Sequence, residues 1–267
     1  MLKIDNTCLQ CLQTCPRKYL HRHIEGLVSK QENFSYFGFG QAIHKGLEVL
    51  YLISNFNACL ESFTQEYLKL HIFDTKRTLE NGKKMLEDYY SLYFPENFEV
   101  LQVEQMIERE ILEKVTFCGK IDLIGKEKQT GEVFILDHKT SSRMEFILNP
   151  NYQFTGYLWL VPEATKAYLN MLGVYALLTK KTKEERFIRV STTRTKNDKQ
   201  QWLDWVYDLL QRLDKYTQEK IWPMSGQCFG CSYIPLCTCE NEEGKESLKR
   251  NMYRVEKWEP WEEKEKL

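Results

Sequence analysis

The stretch that decides the fold runs from Phe117 to Thr140. It contains Gly119-Lys120-Ile121-Asp122 and closes on Leu136-Asp137-His138-Lys139-Thr140. Segments 115–125 and 131–139 read as two strands of a hairpin, turning at Gln129-Thr130-Gly131. Residues i and i+2 of a strand share a face, so Asp137 and Lys139 point the same way. Ile121, Leu123, Ile135 and Leu136 embed these charges in apolar strands. Charge near a buried sheet usually has a reason beyond solvation.

Two carboxylates beside one lysine suit phosphodiester hydrolysis. That reaction needs an activated water, neutralised charge on phosphorus and a stabilised leaving oxygen. Mg²⁺ or Mn²⁺ serves all three needs, and such hard ions choose carboxylate oxygen. Asp122 and Asp137 are the candidate ligands, and the backbone carbonyl of His138 is placed to complete the shell. Lys139 is the candidate catalytic group, orienting water or neutralising developing charge. Glu104, just upstream, is a further acidic candidate.

Upstream the pattern is helical. Ile43, Leu47 and Leu50 recur at helical spacing between Phe37 and Ile53, with His44 one position off that stripe and Glu48 one turn later. Asn6 and Thr7 are candidate caps of a short helix that Pro16 ends. Further helices are expected over about 57–71 and 76–93, closed by Pro95. Partial alternation follows over 98–113. Downstream, 149–161 reads as a helix, 166–178 and 184–194 as strands, and 198–219 as a helix with Trp202, Val206, Leu209, Leu210 and Leu213 on its apolar side. Helices, then strands, then an embedded helix and more strands predict an α/β fold with a central mixed sheet flanked by helices. No internal repeat is present. The whole chain is expected to be a single domain over residues 1–267, ending in a charged tail over 241–267.

The chain has 267 residues, 42% of them hydrophobic, and a formal net charge of -1. A sizeable core is expected, and any nucleic-acid contact must come from a local groove and not the overall field. No apolar run reaches the ~18 residues of a membrane span. Met1-Leu2-Lys3-Ile4-Asp5-Asn6 lacks the apolar core of a secretory signal, so a cytoplasmic protein without membrane partners is expected.

Nine cysteines are many for such a protein. Cys8, Cys11 and Cys15 cluster early; Cys228, Cys231, Cys237 and Cys239 cluster late; Cys59 and Cys118 stand alone and read as packed small residues. In a reducing compartment such clusters bind metal more often than they form disulfides. Cys228-x-x-Cys231 with Cys237 is a soft-metal pattern. An iron–sulfur cluster, a zinc site and unligated thiols all remain open on spacing alone.

The hairpin resembles the PD-(D/E)XK nuclease superfamily, in its RecB-like branch. Gly-x-Ile-Asp followed by Asp-x-Lys is the core of that resemblance. Gly40-Gln41-Ala42-Ile43-His44-Lys45-Gly46-Leu47-Glu48 looks like its first motif. Gln153-Phe154-Thr155-Gly156-Tyr157 matches its Q-x-x-x-Y signature, and Cys15-Pro16-Arg17-Lys18-Tyr19 its N-terminal cysteine motif. Together these run from residue 15 to residue 237 in the family's order. The layout is similar to the CRISPR-associated RecB-like exonucleases and to the AddB-type nuclease domain.

The resemblance implies a restriction-endonuclease-like core. It also implies a metal shell of His44, Asp122, Asp137 and the His138 carbonyl, with Lys139 catalytic. Gln153 and Tyr157, one helical turn apart, would brace the site or touch the DNA backbone. It further implies a [4Fe–4S] cluster on Cys15, Cys228, Cys231 and Cys237, joining segments 1–25 and 222–240 and holding the wall of a DNA channel. The expected activity is Mg²⁺- or Mn²⁺-dependent exonucleolysis of single-stranded DNA or DNA ends, in a prokaryotic or phage context. Without a G-x-x-x-x-G-K-[ST] motif, unwinding would need a helicase partner. The alternatives are a spacer-acquisition or recombination component that binds or processes DNA beside an integrase, and a zinc-stapled scaffold. Arg186, Arg189, Arg194, Lys196, Lys199, Arg17, Lys18, His21 and Arg22 are candidate phosphate contacts. Tyr19, Phe37 and Phe39 are candidate base-stacking rings.

Overall fold

The computed structural model describes residues 1–30, 35–70, 72, 74–174 and 180–262. The chain forms two compact units. One comprises Met1–Glu32, Glu108–Gly119 and Asn197–Leu267; the other comprises Asn33–Ile107 and Lys120–Lys196.

The first unit opens with strand β1 (Leu2–Ile4) and helix α1 (Asn6–Thr14). Asp5, not Asn6 or Thr7, caps α1: its carboxylate accepts the Cys8 N–H at 2.7 Å. Cys15 breaks the chain into extended geometry, and Pro16 starts a second short helix, α2 (Pro16–Tyr19), where its missing N–H costs nothing. Strand β2 (Leu27–Ser29) follows.

The second unit begins with three helices, α3 (Ser35–Ile53), α4 (Phe56–Lys69) and α5 (Leu79–Tyr93). Asn55 and Thr78 cap the latter two by accepting the N–H groups of Ala58 and Asn81. Strands β3 (Phe98–Leu112) and β4 (Val115–Glu127) contribute residues to both units. Then come β5 (Val133–Ser141), α6 (Tyr152–Leu160), β6 (Ala164–Gly173) and β7 (Phe187–Thr193). The sequence placed these elements closely. Of the expected strand over 166–178, positions 175–178 lie outside the described residues, as does position 71 of the expected helix over 57–71.

The strands run β4-β5-β6-β7, with β3 also along β4. β5 and β6 are parallel, whereas β4–β5 and β6–β7 are antiparallel, so the sheet is mixed. One core unites it with α3, α4 and α5 through Ile43, Leu47, Leu50, Phe63, Met85, Leu86, Leu123, Phe134 and Leu136. A helix on each side is visible from single contacts: Tyr89 of α5 meets Asn170 of β6, while Gln153 of α6 meets Asp137 of β5. This fits a restriction-endonuclease-like α/β core.

The first unit is completed by α7 (Lys196–Glu219), α8 (Ile234–Thr238), α9 (Glu242–Met252) and strand β8 (Tyr253–Val255). β8 pairs antiparallel with β2, Leu27 opposite Val255. Tyr233 and Tyr253 stack beside Leu27 and Leu236. Tyr233 donates to the Leu27 carbonyl at 2.6 Å, and Arg17 Nε to the Trp222 carbonyl at 2.8 Å. Trp258 docks through its indole N–H on Asp5 at 2.9 Å. The early and late segments of the chain are therefore joined by backbone pairing and packing.

Close helix packing rests on Gly82. A Cβ there would lie 2.1 Å from Phe63 Cζ, far inside contact distance. On an open helix surface Gly→Ala gains up to about 1 kcal/mol. At this site overpacking of the Phe63 ring dominates, and Gly82→Ala is expected to destabilise the protein by about 1–3 kcal/mol. Denaturant melts of the two proteins check this; a raised midpoint would contradict the packing.

Candidate active site

All the expected nuclease residues fall in the second unit. The β4–β5 ladder runs from Lys126↔Val133 to Leu123↔Leu136 and stops there. Asp122 and Asp137 are the next residues along each strand. Beyond the last rung the Asp122 carboxylate takes over: its Oδ2 accepts the His138 backbone N–H at 2.6 Å. A side chain thus stands in for a strand partner, and the two acids are held where the strands part.

His44 comes from α3. Its Nδ1 lies 3.4 Å from Asp122 Oδ2 and 3.8 Å from Glu104 Oε1. Glu104 sits on β3 in the left-handed region, φ 51°, uncommon for a residue with a Cβ. Lys120 Nζ binds its other oxygen at 2.6 Å. One ligand atom from each of His44, Glu104 and Asp122 can be chosen so that all three lie within 4.8 Å of one another. These are hard oxygens and one imidazole nitrogen, a donor set that fits a divalent cation such as Mg²⁺ or Mn²⁺.

Asp137 is 1% exposed, and Lys139 Nζ lies 2.9 Å from its Oδ1 and 2.7 Å from its Oδ2. Oδ1 also accepts from Gln153 Nε2 at 3.1 Å, whereas Oδ2 is buried without a hydrogen bond of its own. The charge on Oδ2 is met by the Lys139 ammonium, so an arriving cation would compete with that lysine for the oxygen. Gln153 donates a second time, to Tyr157 Oη at 2.9 Å, and Tyr157 donates to the Lys120 carbonyl at 2.9 Å. The Gln–Tyr pair therefore braces Asp137 against the backbone of β4. Asn151 caps that helix by accepting the N–H groups of Gln153 and Phe154.

Electrostatics follow from this packing. Burial works against a charge on His44, but Asp122 and then Glu104 outweigh it and pull its pKa up to about 10. Burial also works against the Asp122 charge, yet His44, followed by Lys139, holds it well below the usual carboxylate range. Asp137 is pushed up, by burial first and by Asp122 beside it, against the pull of Lys139. Burial drives His138 down to about 3, so its imidazole is neutral. Lys139 is raised despite burial, chiefly by Asp137. Its side chain as a whole is 44% exposed, while its ammonium rests on the buried Asp137 carboxylate.

The structure gathers His44, Asp122, Asp137, His138, Lys139, Gln153 and Tyr157 into one place, with Glu104 among them. Sequence reasoning assigned no role to Lys120, although it lies within the Gly-Lys-Ile-Asp segment. Several expected DNA contacts are corrected. Arg189 is spent internally on Glu96, at 2.7 and 2.8 Å. Arg194 Nη2 donates to the Leu148 carbonyl at 2.7 Å and Arg194 Nε to Thr155 Oγ1 at 2.8 Å, closing the loop before α6. Tyr19 and Phe39 are buried, so neither ring is open to a base; Phe37 is exposed.

In the first unit, Cys15, Cys228, Cys231 and Cys237 line one cavity of about 440 Å³, together with Lys18, Phe229 and Tyr233. Among the described residues no three of these thiols come within 4.8 Å of one another. Backbone N–H groups of Ser225 and Lys18 lower the Cys15 pKa against the effect of burial, while burial raises that of Cys237. Cys59 and Cys118 are buried, as expected of packed residues. Cys8 is buried too, its sulfur 3.4 Å from His23 Nδ1.

A mixed sheet that parts at two buried acids and a lysine, met by a helix-borne histidine, defines a class: α/β proteins equipped for metal-assisted phosphoester hydrolysis. The chain belongs to the PD-(D/E)XK nuclease superfamily, whose family model matches residues 6–238. Nucleases of this type use divalent metals such as Mg²⁺ or Mn²⁺. Among curated proteins nothing matches the chain. Solved structures similar to it include a candidate exonuclease from Eubacterium rectale, at 17% identity and TM-score 0.46, covering 86% of each chain. An alkaline exonuclease from Laribacter hongkongensis is similar at 11% identity and TM-score 0.36, over 67% of this chain and 91% of that one. A phage-related exonuclease from Haemophilus somnus is similar at 11% and 0.39, over 82% and 97%. Among the described residues no helix is long and apolar enough to cross a membrane.

The Gln–Tyr brace carries a test. Tyr157→Phe removes the donor to the Lys120 carbonyl and the acceptor for Gln153. A loss of about 1–3 kcal/mol in unfolding free energy is expected. Equal urea midpoints for variant and parent would show that the brace contributes nothing.

Proposed function

We propose that the protein is a metal-dependent DNA nuclease that hydrolyses phosphodiester bonds, acting on single strands or on DNA ends. The observation that carries this reading is the convergence of His44, Glu104 and Asp122 ligand atoms within 4.8 Å, beside an Asp137–Lys139 pair. When bound, Mg²⁺ or Mn²⁺ supplies the Lewis acid and the activated water of such hydrolysis. Asp122, Asp137, His44 and the His138 carbonyl would hold it, with Glu104 as a further acidic ligand. Lys139 is positioned by Asp137, and its ammonium would bind a phosphate oxygen and stabilise charge as it develops. Gln153 keeps the Asp137 carboxylate from rotating, and Tyr157 keeps Gln153 in place.

Both acids lie buried where β4 and β5 part, so a strand whose backbone bends freely towards them is the simplest substrate, and unpaired DNA bends more freely than a continuous duplex. A helicase, integrase or recombination partner would supply such ends.

For the cysteines, the proposal is a [4Fe–4S] cluster on Cys15, Cys228, Cys231 and Cys237, making 1–25 and 222–240 a split cluster region. A tetrahedral zinc site with Zn–S near ~2.3 Å brings its sulfurs within about 4 Å of one another. What supports a shared group over separate thiols is that all four sulfur-bearing residues line one cavity of about 440 Å³.

Two measurements test these readings. With 5′- and 3′-labelled single and double strands, the purified protein should degrade DNA only with Mg²⁺ or Mn²⁺. Lys139→Ala should lower the rate at least about a hundredfold while leaving the circular dichroism unchanged; full activity in that variant would remove Lys139 from the chemistry. Cys231→Ala should abolish iron and sulfide content together with visible absorbance. Unchanged iron content would refute the ligand set, and stoichiometric zinc in the parent protein would replace the cluster by a zinc site.

A further inference from the structure

His138 has a second face. Its backbone N–H holds Asp122, yet its imidazole projects to the side of β5 away from Asp137 and Lys139. There it is buried, 3% exposed, between the rings of Tyr51 and Tyr89. His138 pairs with Asn170 on β6, and Asn170 with Arg189 on β7, so the three side chains form one row across three strands. Asn170 is 0% exposed. A polar row inside an apolar core is costly wherever its groups go unbonded; here Asn170 Oδ1 and Arg189 Nε are buried without a hydrogen bond, while Asn170 Nδ2 and the terminal Arg189 nitrogens are bonded.

The hydrogen-bond count fixes how the row is wired. Tyr51 donates to Glu96 Oε1 at 2.8 Å. The short Tyr51–Tyr89 hydroxyl contact then needs the proton of Tyr89. With its one proton committed, Tyr89 Oη can only accept, and it does so from Arg189 Nη2 at 3.0 Å and Asn170 Nδ2 at 2.9 Å. Turning the Asn170 amide over would demand a second proton from Tyr89, so its NH₂ must face Tyr89. The other N–H of that NH₂ meets His138 Nδ1 at 2.8 Å, which makes Nδ1 an acceptor and puts the ring proton on Nε2. The Tyr89, Tyr51 and Arg189 donors lead to Glu96, which Arg189 clamps with two hydrogen bonds, while the second Asn170 N–H ends on His138. The ring Arg189–Tyr89–Tyr51–Glu96 is closed; it meets His138 through the Asn170 hydrogen bond and through the Tyr51 and Tyr89 rings.

We propose that Asn170 and Tyr89 are positioning residues for the metal-binding carboxylate Asp122, acting through His138. The proposal rests on the metal-dependent reading given above. By fixing the imidazole they fix the β5 backbone at the one residue whose N–H bonds Asp122 and whose carbonyl would face the ion. Groups that orient ligands in this way typically contribute 10–100-fold to metal affinity. They touch neither ion nor substrate, so metal affinity should fall while turnover at saturating metal holds.

The test is calorimetric titration of the full-length protein with MnCl₂, alongside cleavage rates against Mn²⁺ concentration and melting curves without metal. For Asn170→Leu and Tyr89→Phe, Mn²⁺ should bind about tenfold more weakly. kcat at saturating Mn²⁺ should stay within about threefold of the parent. The double variant should be no weaker than Asn170→Leu, because both changes cut one chain of bonds. Mn²⁺ affinity equal to the parent in folded variants would overturn the proposal and leave the metal site standing. A parent protein that takes up no Mn²⁺ would overturn the metal reading itself, and this is visible without any variant. If Asn170→Leu fails to fold, Tyr89→Phe, which removes a single oxygen, decides.

Discussion

A buried carboxylate survives in a sheet only if donors surround it, and Asp122 finds its best donor in the backbone of the neighbouring strand. The 2.6 Å bond from His138 N–H replaces the rung that β4 and β5 would otherwise share. Its consequences reach the rest of the site. Because the ladder ends at Leu123↔Leu136, the strands part just where Asp122 and Asp137 sit. Because Asp122 is pinned from one side, its remaining valence faces His44 and Glu104. Strand register, acid placement and the histidine on α3 are thus one structural decision.

The same packing explains the charges. His44, Lys139 and Lys120 each sit against a carboxylate, so the resting site is balanced by protein cations. An ion held by His44, Glu104 and Asp122 would compete with the His44 proton, since only a neutral imidazole ligates. Lys139, paired with Asp137, would remain as the cation to meet a phosphate.

Much of this was legible in the sequence because strand and helix periods are short. Asp137 and Lys139 share a face by the two-residue repeat, and Gln153 and Tyr157 by the helical turn. What escaped were the contacts made across long separations. Nothing near Arg189 announces that Glu96 lies against it, so a basic residue on a late strand read as a phosphate contact. Arg194 read the same way, although carbonyls before α6 consume it. Glu104 was only a loose candidate, since a left-handed residue inside a strand leaves no mark on the alternation. At the N-terminus, Asp5 won the capping position over Asn6 because its carboxylate reaches the Cys8 N–H.

These internal uses of arginine change how nucleic acid could be held. The chain carries a net charge of -1, and two of its candidate guanidinium contacts are locked in the fold. A broad basic field is therefore absent as a source of affinity. What remains is local: Lys139 beside the candidate cation site, other basic residues such as Arg186, Lys196 and Lys199, and exposed rings such as Phe37. On the reading proposed above, a metal ion would supply much of the attraction for phosphate. The two acids are braced from both faces of the sheet whatever they bind: Asp137 by Gln153 and Tyr157 on one, Asp122 by the His138 N–H, whose imidazole Asn170 holds, on the other.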